Sequence, residues 1–155
     1  AEAAGAEIGF TNTHGLRKDV PAGPLTKRDL YEVLPFRNVL ATCQLNGNDL
    51  RSIMMYYLTK KPAIQITGVS CQWRKIKGSG VEIVSLEVNG KPVDDSRTYV
   101  CATSDFFVGQ SQGYIGMEIE RPIFLRETVF DAVEKAVRKA KVISSRIENR
   151  FQEVQ

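Results

Sequence analysis

Two apolar and β-branched runs, Ile64 to Lys75 and Val81 to Val88, flank a Gly78-Ser79-Gly80 turn in the middle of the chain. Glycine punctuation between two such runs reads as paired strands, so any fold this sequence adopts must be built around sheet. The second run alternates, with Val81, Ile83 and Ser85 on one side and Glu82, Val84 and Leu86 on the other, the pattern of a strand with a partly covered face. Asn89-Gly90-Lys91-Pro92 is a further turn, and Arg97 to Thr103 reads as a third strand in which Tyr99 and Cys101 alternate with Val100 and Ala102. Nearer the N-terminus, Glu7 to Asn12 reads as a short buried strand entering a turn at His14-Gly15. Asn38 to Leu45 reads as another, stopped by Asn46-Gly47.

Helical periodicity fills the intervals. Thr26-Lys27-Arg28-Asp29 has the layout of a capping box, a hydroxyl at the N-cap with an acid three residues on, and opens a short helix through Leu30, Val33 and Leu34 that Pro35 closes. Asn48 is placed to cap a second helix, whose Leu50, Ile53, Met54, Tyr57 and Leu58 recur at three and four and which ends near Pro62. Gly109 to Gly116 reads as a Gly-rich loop. The last third reads as helical, with Thr128 and Asp131 as a capping box and Val129, Phe130, Val133, Val137 and Ala140 as one apolar stripe. Strands and helices interleave without a strict βαβ rhythm, so the fold class is α/β with a mixed sheet, α+β-like in arrangement. With 155 residues, residues 1–155 are expected to form one domain.

Composition narrows the chemistry. The net charge is +3 and the basic residues are spread along the chain, which argues against a nucleic-acid partner. The longest apolar run, Ile53 to Leu58, is far short of the roughly 20 residues a membrane span needs. One histidine, His14, and three cysteines, Cys43, Cys71 and Cys101, with neither C-x-x-C nor H-x-x-x-H spacing, make a metal or triad site within this chain a poor expectation. Each cysteine reads as a small buried hydrophobe. The opening segment Ala1 to Glu7 has no initiator Met and no signal-peptide pattern, and reads as part of a longer precursor.

Three loops hold residue types that a buried core does not select: 12–17 (Asn-Thr-His-Gly-Leu-Arg), 33–36 (Val-Leu-Pro-Phe) and 105–114 (Asp-Phe-Phe-Val-Gly-Gln-Ser-Gln-Gly-Tyr). Loops held by a rigid sheet are where binding residues concentrate. If the three converge, two rings and a polar rim form a slot for a flat heteroaromatic ligand bearing hydroxyls or an anionic group. Against this stand plainer readings: Phe36 as core after a helix-ending proline, Phe107 in place of Phe106 as the outward ring, Arg17 as a partner of Asp19, Asn12 as the stabiliser of its own Asx turn, and Gln112 as a surface residue.

In their order along the chain these segments resemble the C-terminal domain of the 5′-nucleotidases and UDP-sugar hydrolases. The likeness rests on the Asn-x-x-Gly-Leu-Arg loop of Asn12 to Arg17, on Leu34-Pro35-Phe36, on Asn46-Gly47-Asn48-Asp49-Leu50, and on Gly68-Val69-Ser70. It extends to Val88-Asn89-Gly90-Lys91-Pro92-Val93, to Phe106 followed by a Gly-containing loop, and to Glu148-Asn149-Arg150-Phe151. The resemblance implies a division of labour in which an N-terminal metallophosphoesterase domain carries divalent metals and performs hydrolysis, while this domain binds a nucleoside or nucleotide. It implies Phe36 and Phe106 as stacking rings, with Asn12, Arg17 and Gln112 around them, no catalytic residue and no cofactor in this chain, and a periplasmic or extracellular location. The sequence departs from the family pattern at Gln112, where the family has Asp, at Gln110 and Ser111, which replace glycines, and at Thr13-His14, which replace Gly-Gly. Two alternatives therefore stand beside the nucleoside reading: the same domain with a non-nucleotide substrate, and a non-catalytic binding or structural module.

Overall fold

The computed structural model describes residues 1–78 and 80–155; Ser79, at the centre of the expected Gly78-Ser79-Gly80 turn, lies outside the described residues. Among the described residues, nine strands form two sheets. The five-stranded sheet has the order β3-β1-β7-β2-β8 and contains Ile8–Asn12 (β1), Val39–Asn46 (β2), Ile64–Thr67 (β3), Thr98–Ser104 (β7) and Ile123–Thr128 (β8). It is mixed: β1 runs parallel to β7, and the other neighbours are antiparallel. The four-stranded sheet, order β6-β5-β4-β9, contains Val69–Ile76 (β4), Gly80–Val88 (β5), Lys91–Pro92 (β6) and Phe151–Glu153 (β9). The helices are Lys27–Val33 (α1), Gly47–Lys60 (α2), Asp105–Gly109 (α3), Ser111–Ile115 (α4) and Val129–Ala140 (α5).

The single strand expected over Ile64 to Lys75 is two strands in two sheets. Gly68, at φ +81°, turns the chain between them, and a Cβ there would stand 2.1 Å from the Glu7 carbonyl oxygen. Only a residue without a side chain lets β1 approach the corner this closely. In β5 the simple alternation fails at a bulge. Gln72 pairs with Ser85 and Trp73 with Ile83, so Val84 is the extra residue, and a one-residue insertion reverses the parity of the side chains. Ile83 thereby packs on the core together with Leu86 and Val88, while Val84 is exposed.

The helix caps follow local chemistry. Thr26 and Asp29 form the expected reciprocal capping box on α1. The cap of α2 is Asn46, not Asn48: Asn46 keeps extended backbone as the last residue of β2, accepts the Asp49 N–H at 2.9 Å, and returns its own N–H to the Asp49 carboxylate at 2.9 Å. Gly47 then begins the helix against the next turn, where a Cβ would meet the Asp94 carbonyl oxygen at 2.2 Å. On α5 the Thr128 hydroxyl accepts the Asp131 N–H and donates to the Asp131 carboxylate. The Gly109 to Gly116 segment is not a loop, because α3 and α4 occupy it. Burial of Phe107 and Ile115 overrides the weak helix preference of its glycines. The last third is also less helical than expected, with β8 preceding α5 and β9 following it.

One apolar core unites the two sheets and α2. It contains Ile8, Phe10, Cys43, Leu50, Ile53, Tyr99, Phe107 and Val88 among others, and Trp73 packs against it. Each fully buried Ile, Leu or Phe side chain contributes roughly 1.5–3 kcal/mol relative to an exposed one. Phe10, Phe107 and Tyr114 stack in series, with centroids 6.0 and 5.0 Å apart, and this column fixes α3 and α4 on the sheet.

Candidate functional site

The end of β1 carries Asn12 into a short 3-10 turn, Thr13–Gly15, which the Thr13 N–H anchors to the Ala63 carbonyl at 2.8 Å. The Asn12 side chain is only 8% exposed and makes no capping bond to that turn, so the Asx reading does not hold. Instead it lies under Gly15, whose absent Cβ would stand 3.1 Å from Asn12 Oδ1. The next segment is tied across to α1 by the Arg17 N–H, which donates to the Val33 carbonyl at 2.9 Å. The exposed Arg17 guanidinium donates to the His14 carbonyl at 3.3 Å.

The Arg17 to Val33 backbone bond brings the first loop against the second. Leu34 closes α1, Pro35 prevents its continuation, and Phe36 emerges 46% exposed. The third segment is linked in turn by Asp105, whose Oδ1 accepts the Val39 N–H at 3.1 Å and the Phe106 N–H at 2.7 Å. One carboxylate oxygen thus bridges the strand three residues after Phe36 to the residue that carries the Phe106 ring. Phe106 is 47% exposed while Phe107 is fully buried, which assigns the core role to Phe107 and the outward ring to Phe106. Gln112 is exposed on α4, its side-chain amide donating to the Gly116 carbonyl at 3.4 Å.

An apolar groove of about 330 Å³ lies on the face of the five-stranded sheet where Gly9, Thr11 and Ala102 point. Asn12, Leu16 and Phe36 stand in its wall with Leu34 and Phe130; Arg17, Phe106 and Gln112 do not line it. The structure therefore gathers Asn12 and Phe36 at one cavity and holds Phe106 to the Phe36 loop through Asp105, with Arg17 and Gln112 at the periphery. Sequence reasoning missed the groove, although the Val129, Phe130 and Val133 stripe that forms one wall was visible as an apolar face. Among the described residues, no group of three or more His, Cys, Asp or Glu is placed to hold a metal ion. Nor is any helix among them long and apolar enough to cross a membrane.

Fold and loops together define a mixed-sheet α/β fold whose polar and aromatic loops are joined by the Arg17 to Val33 backbone bond and by the Asp105 carboxylate. The chain belongs to the family described as 5′-nucleotidase, C-terminal domain, whose family model matches residues 1–118. Protein UshA of Yersinia enterocolitica is 28% identical over 115 residues, covering 73% of this chain and 20% of UshA. Endonuclease YhcR of Bacillus subtilis is 28% identical over 133 residues, covering 83% of this chain and 11% of YhcR. Among solved structures, the 5′-nucleotidase precursor from Thermus thermophilus superposes with a TM-score of 0.80 at 22% identity, covering 99% of this chain and 32% of that one. The chain thus spans a third or less of the length of these relatives.

Proposed function

We propose that this chain is the ligand-binding part of a two-domain, metal-dependent 5′-nucleotidase-like hydrolase, and that it holds a nucleoside or nucleotide between Phe36 and Phe106. The observation that carries the reading is the Asp105 bridge, which ties two half-exposed phenylalanines to one end of the sheet. A large apolar ring left half in water forgoes much of the stabilisation that burial brings, and stacking on a base recovers about 1–3 kcal/mol per ring. Asn12 supplies an amide that both donates and accepts, and Arg17 a permanent cation for an anionic group. Among the described residues no group of three or more His, Cys, Asp or Glu is placed to hold a divalent metal; in this reading the metals and the hydrolytic chemistry belong to a preceding metallophosphoesterase domain. Family membership also supports a periplasmic or extracellular location.

A second reading, a non-nucleotide ligand or a module without nucleotide recognition, is favoured by Gln112, a neutral amide engaged with the Gly116 carbonyl where the family pattern has a carboxylate. One experiment separates the two. Adenosine, AMP and UMP are titrated into the labelled chain and backbone resonances followed. The nucleoside reading expects resonances of 34–38 and 105–108 to shift together, with Phe36→Ala and Phe106→Ala each weakening binding about 5- to 150-fold. Resonances unmoved at millimolar ligand would overturn it in favour of the second.

A further inference from the structure

Cys43 on β2 and Cys101 on β7 are directly opposite each other in the antiparallel ladder between Gln44↔Val100 and Thr42↔Ala102. Directly paired residues point to the same face, with Cα atoms roughly 4.5–5.5 Å apart in either type of antiparallel pair. That range lies within the roughly 4.4–6.8 Å that a disulfide spans. Both side chains enter the core and both are buried, and in the structure both are thiols. Cys71, the third thiol, is on the other sheet, where its ladder partners are Leu86 and Phe151.

We propose that Cys43 and Cys101 form a cross-strand disulfide between β2 and β7 when the chain folds in the presence of a small-molecule disulfide or a disulfide-donating oxidase, while Cys71 remains a thiol. The step balances as a two-electron exchange. The thiolate of one cysteine attacks the donor disulfide and releases one donor thiol; the second cysteine, losing its proton, attacks the mixed disulfide and releases the other. Two protein thiols are oxidised and one donor disulfide is reduced to two thiols. Hydrogen bonding between the two side chains lowers Cys43 and raises Cys101, to which burial adds. Burial alone pushes Cys71 up to about 11, and its ladder partners Leu86 and Phe151 offer it no second thiol. Because the pair is closed to solvent in the folded chain, the bond forms as the sheet assembles and is afterwards shielded from reductants.

The test is to denature and reduce the chain, refold it with an oxidised and reduced glutathione mixture, and count thiols after denaturation in an alkylating reagent. The expected product has one free thiol and a mass about 2 Da below the reduced chain, and a non-reducing tryptic map joins peptide 38–51 to peptide 98–126. Cys71→Ala keeps that link and Cys43→Ala abolishes it. The oxidised chain is expected to unfold in urea with an equilibrium constant on the order of 10²–10³ smaller than the reduced one, because the bridge closes a long loop. Three free thiols in the refolded chain, or a link through Cys71, would overturn the proposal. The wild-type thiol count and map decide it even if a cysteine variant does not fold.

Discussion

Gly68 is where the chain leaves one sheet for the other, and Gly68→Ala tests the geometry of that corner. Two costs act at once. Alanine at φ +81° occupies the left-handed region, at about 1–2 kcal/mol. Its Cβ would also lie 2.1 Å from the Glu7 carbonyl oxygen and 3.3 Å from Ile8 Cα, backbone atoms at the start of β1 that cannot rotate away. Relieving such a clash displaces a strand paired on both edges, and overpacking of this kind costs about 1–3 kcal/mol. Set against these is about 0.4–1 kcal/mol from the stiffer unfolded chain, which leaves a net loss of about 1–4.6 kcal/mol. Gly90→Ala is the internal control: its φ is +76°, yet no atom lies within 4 Å of the added Cβ, so it meets the conformational cost alone. Urea unfolding followed by the fluorescence of Trp73, the single tryptophan, and by far-ultraviolet circular dichroism should give Gly68→Ala a midpoint clearly below that of Gly90→Ala. Equal midpoints would show that β1 yields freely, and the argument from close approach would fail.

Three further outcomes follow from the same structure. Gly47→Ala should destabilise the chain even though alanine favours helix by about 1 kcal/mol, because its Cβ would meet the Asp94 backbone at 2.2 Å; a raised thermal midpoint would contradict this. Tyr99→Phe should cost about 1–3 kcal/mol in urea unfolding, since the buried hydroxyl accepts the Asp94 N–H at 2.9 Å and phenylalanine leaves that donor unpaired; an unchanged midpoint would mean that water replaces it. The Asp29 and Asp131 carboxylates are held below their ordinary range by side-chain hydrogen bonds from Thr26 and Thr128. Folded pKa values depressed in this way give stability that is present at neutral pH and lost as pH falls through them, so the urea midpoint should decline below about pH 4. The decline should be shallower in Thr26→Ala/Thr128→Ala, and an identical slope would remove the caps from the explanation.

Features set by neighbouring residues were legible in the sequence. The Thr26 to Asp29 box needs only four residues, and the apolar period of α2 and the strands β1, β2 and β7 are local patterns. What the sequence hid depends on a distant partner. The 64–75 run is apolar on both sides of Gly68, and only the approach of Glu7 makes that glycine a corner. The bulge at Val84 is defined by the opposing strand, so no alternation within β5 reveals it. Asn46 outcompetes Asn48 as a cap because β2 holds it extended up to the first helical residue. Residues 105–115 become helical because Phe107 stacks between Phe10, nearly a hundred positions away, and Tyr114.

The candidate site divides along the same line. Each loop could be picked out from its residue types, yet its joining depends on three backbone donors: Thr13 to Ala63, Arg17 to Val33, and Val39 to Asp105. None of these leaves a side-chain signature except the last, where the acceptor is a carboxylate next to the outward phenylalanine. Asp105 therefore has a role that residue type alone does not suggest. By accepting from both Val39 and Phe106 it couples the setting of one candidate ring to the strand that follows the other. The aromatic column of Phe10, Phe107 and Tyr114 supplies the rigidity, so the exposed rings contribute little to stability and are free to be selected for a ligand. Substitution of Phe107 by alanine should consequently unfold the domain, whereas the same change at Phe106 should leave it folded and alter only what it holds; circular dichroism of the two variants, read beside the ligand titration, checks both halves, and equal loss of structure in the two would end the distinction.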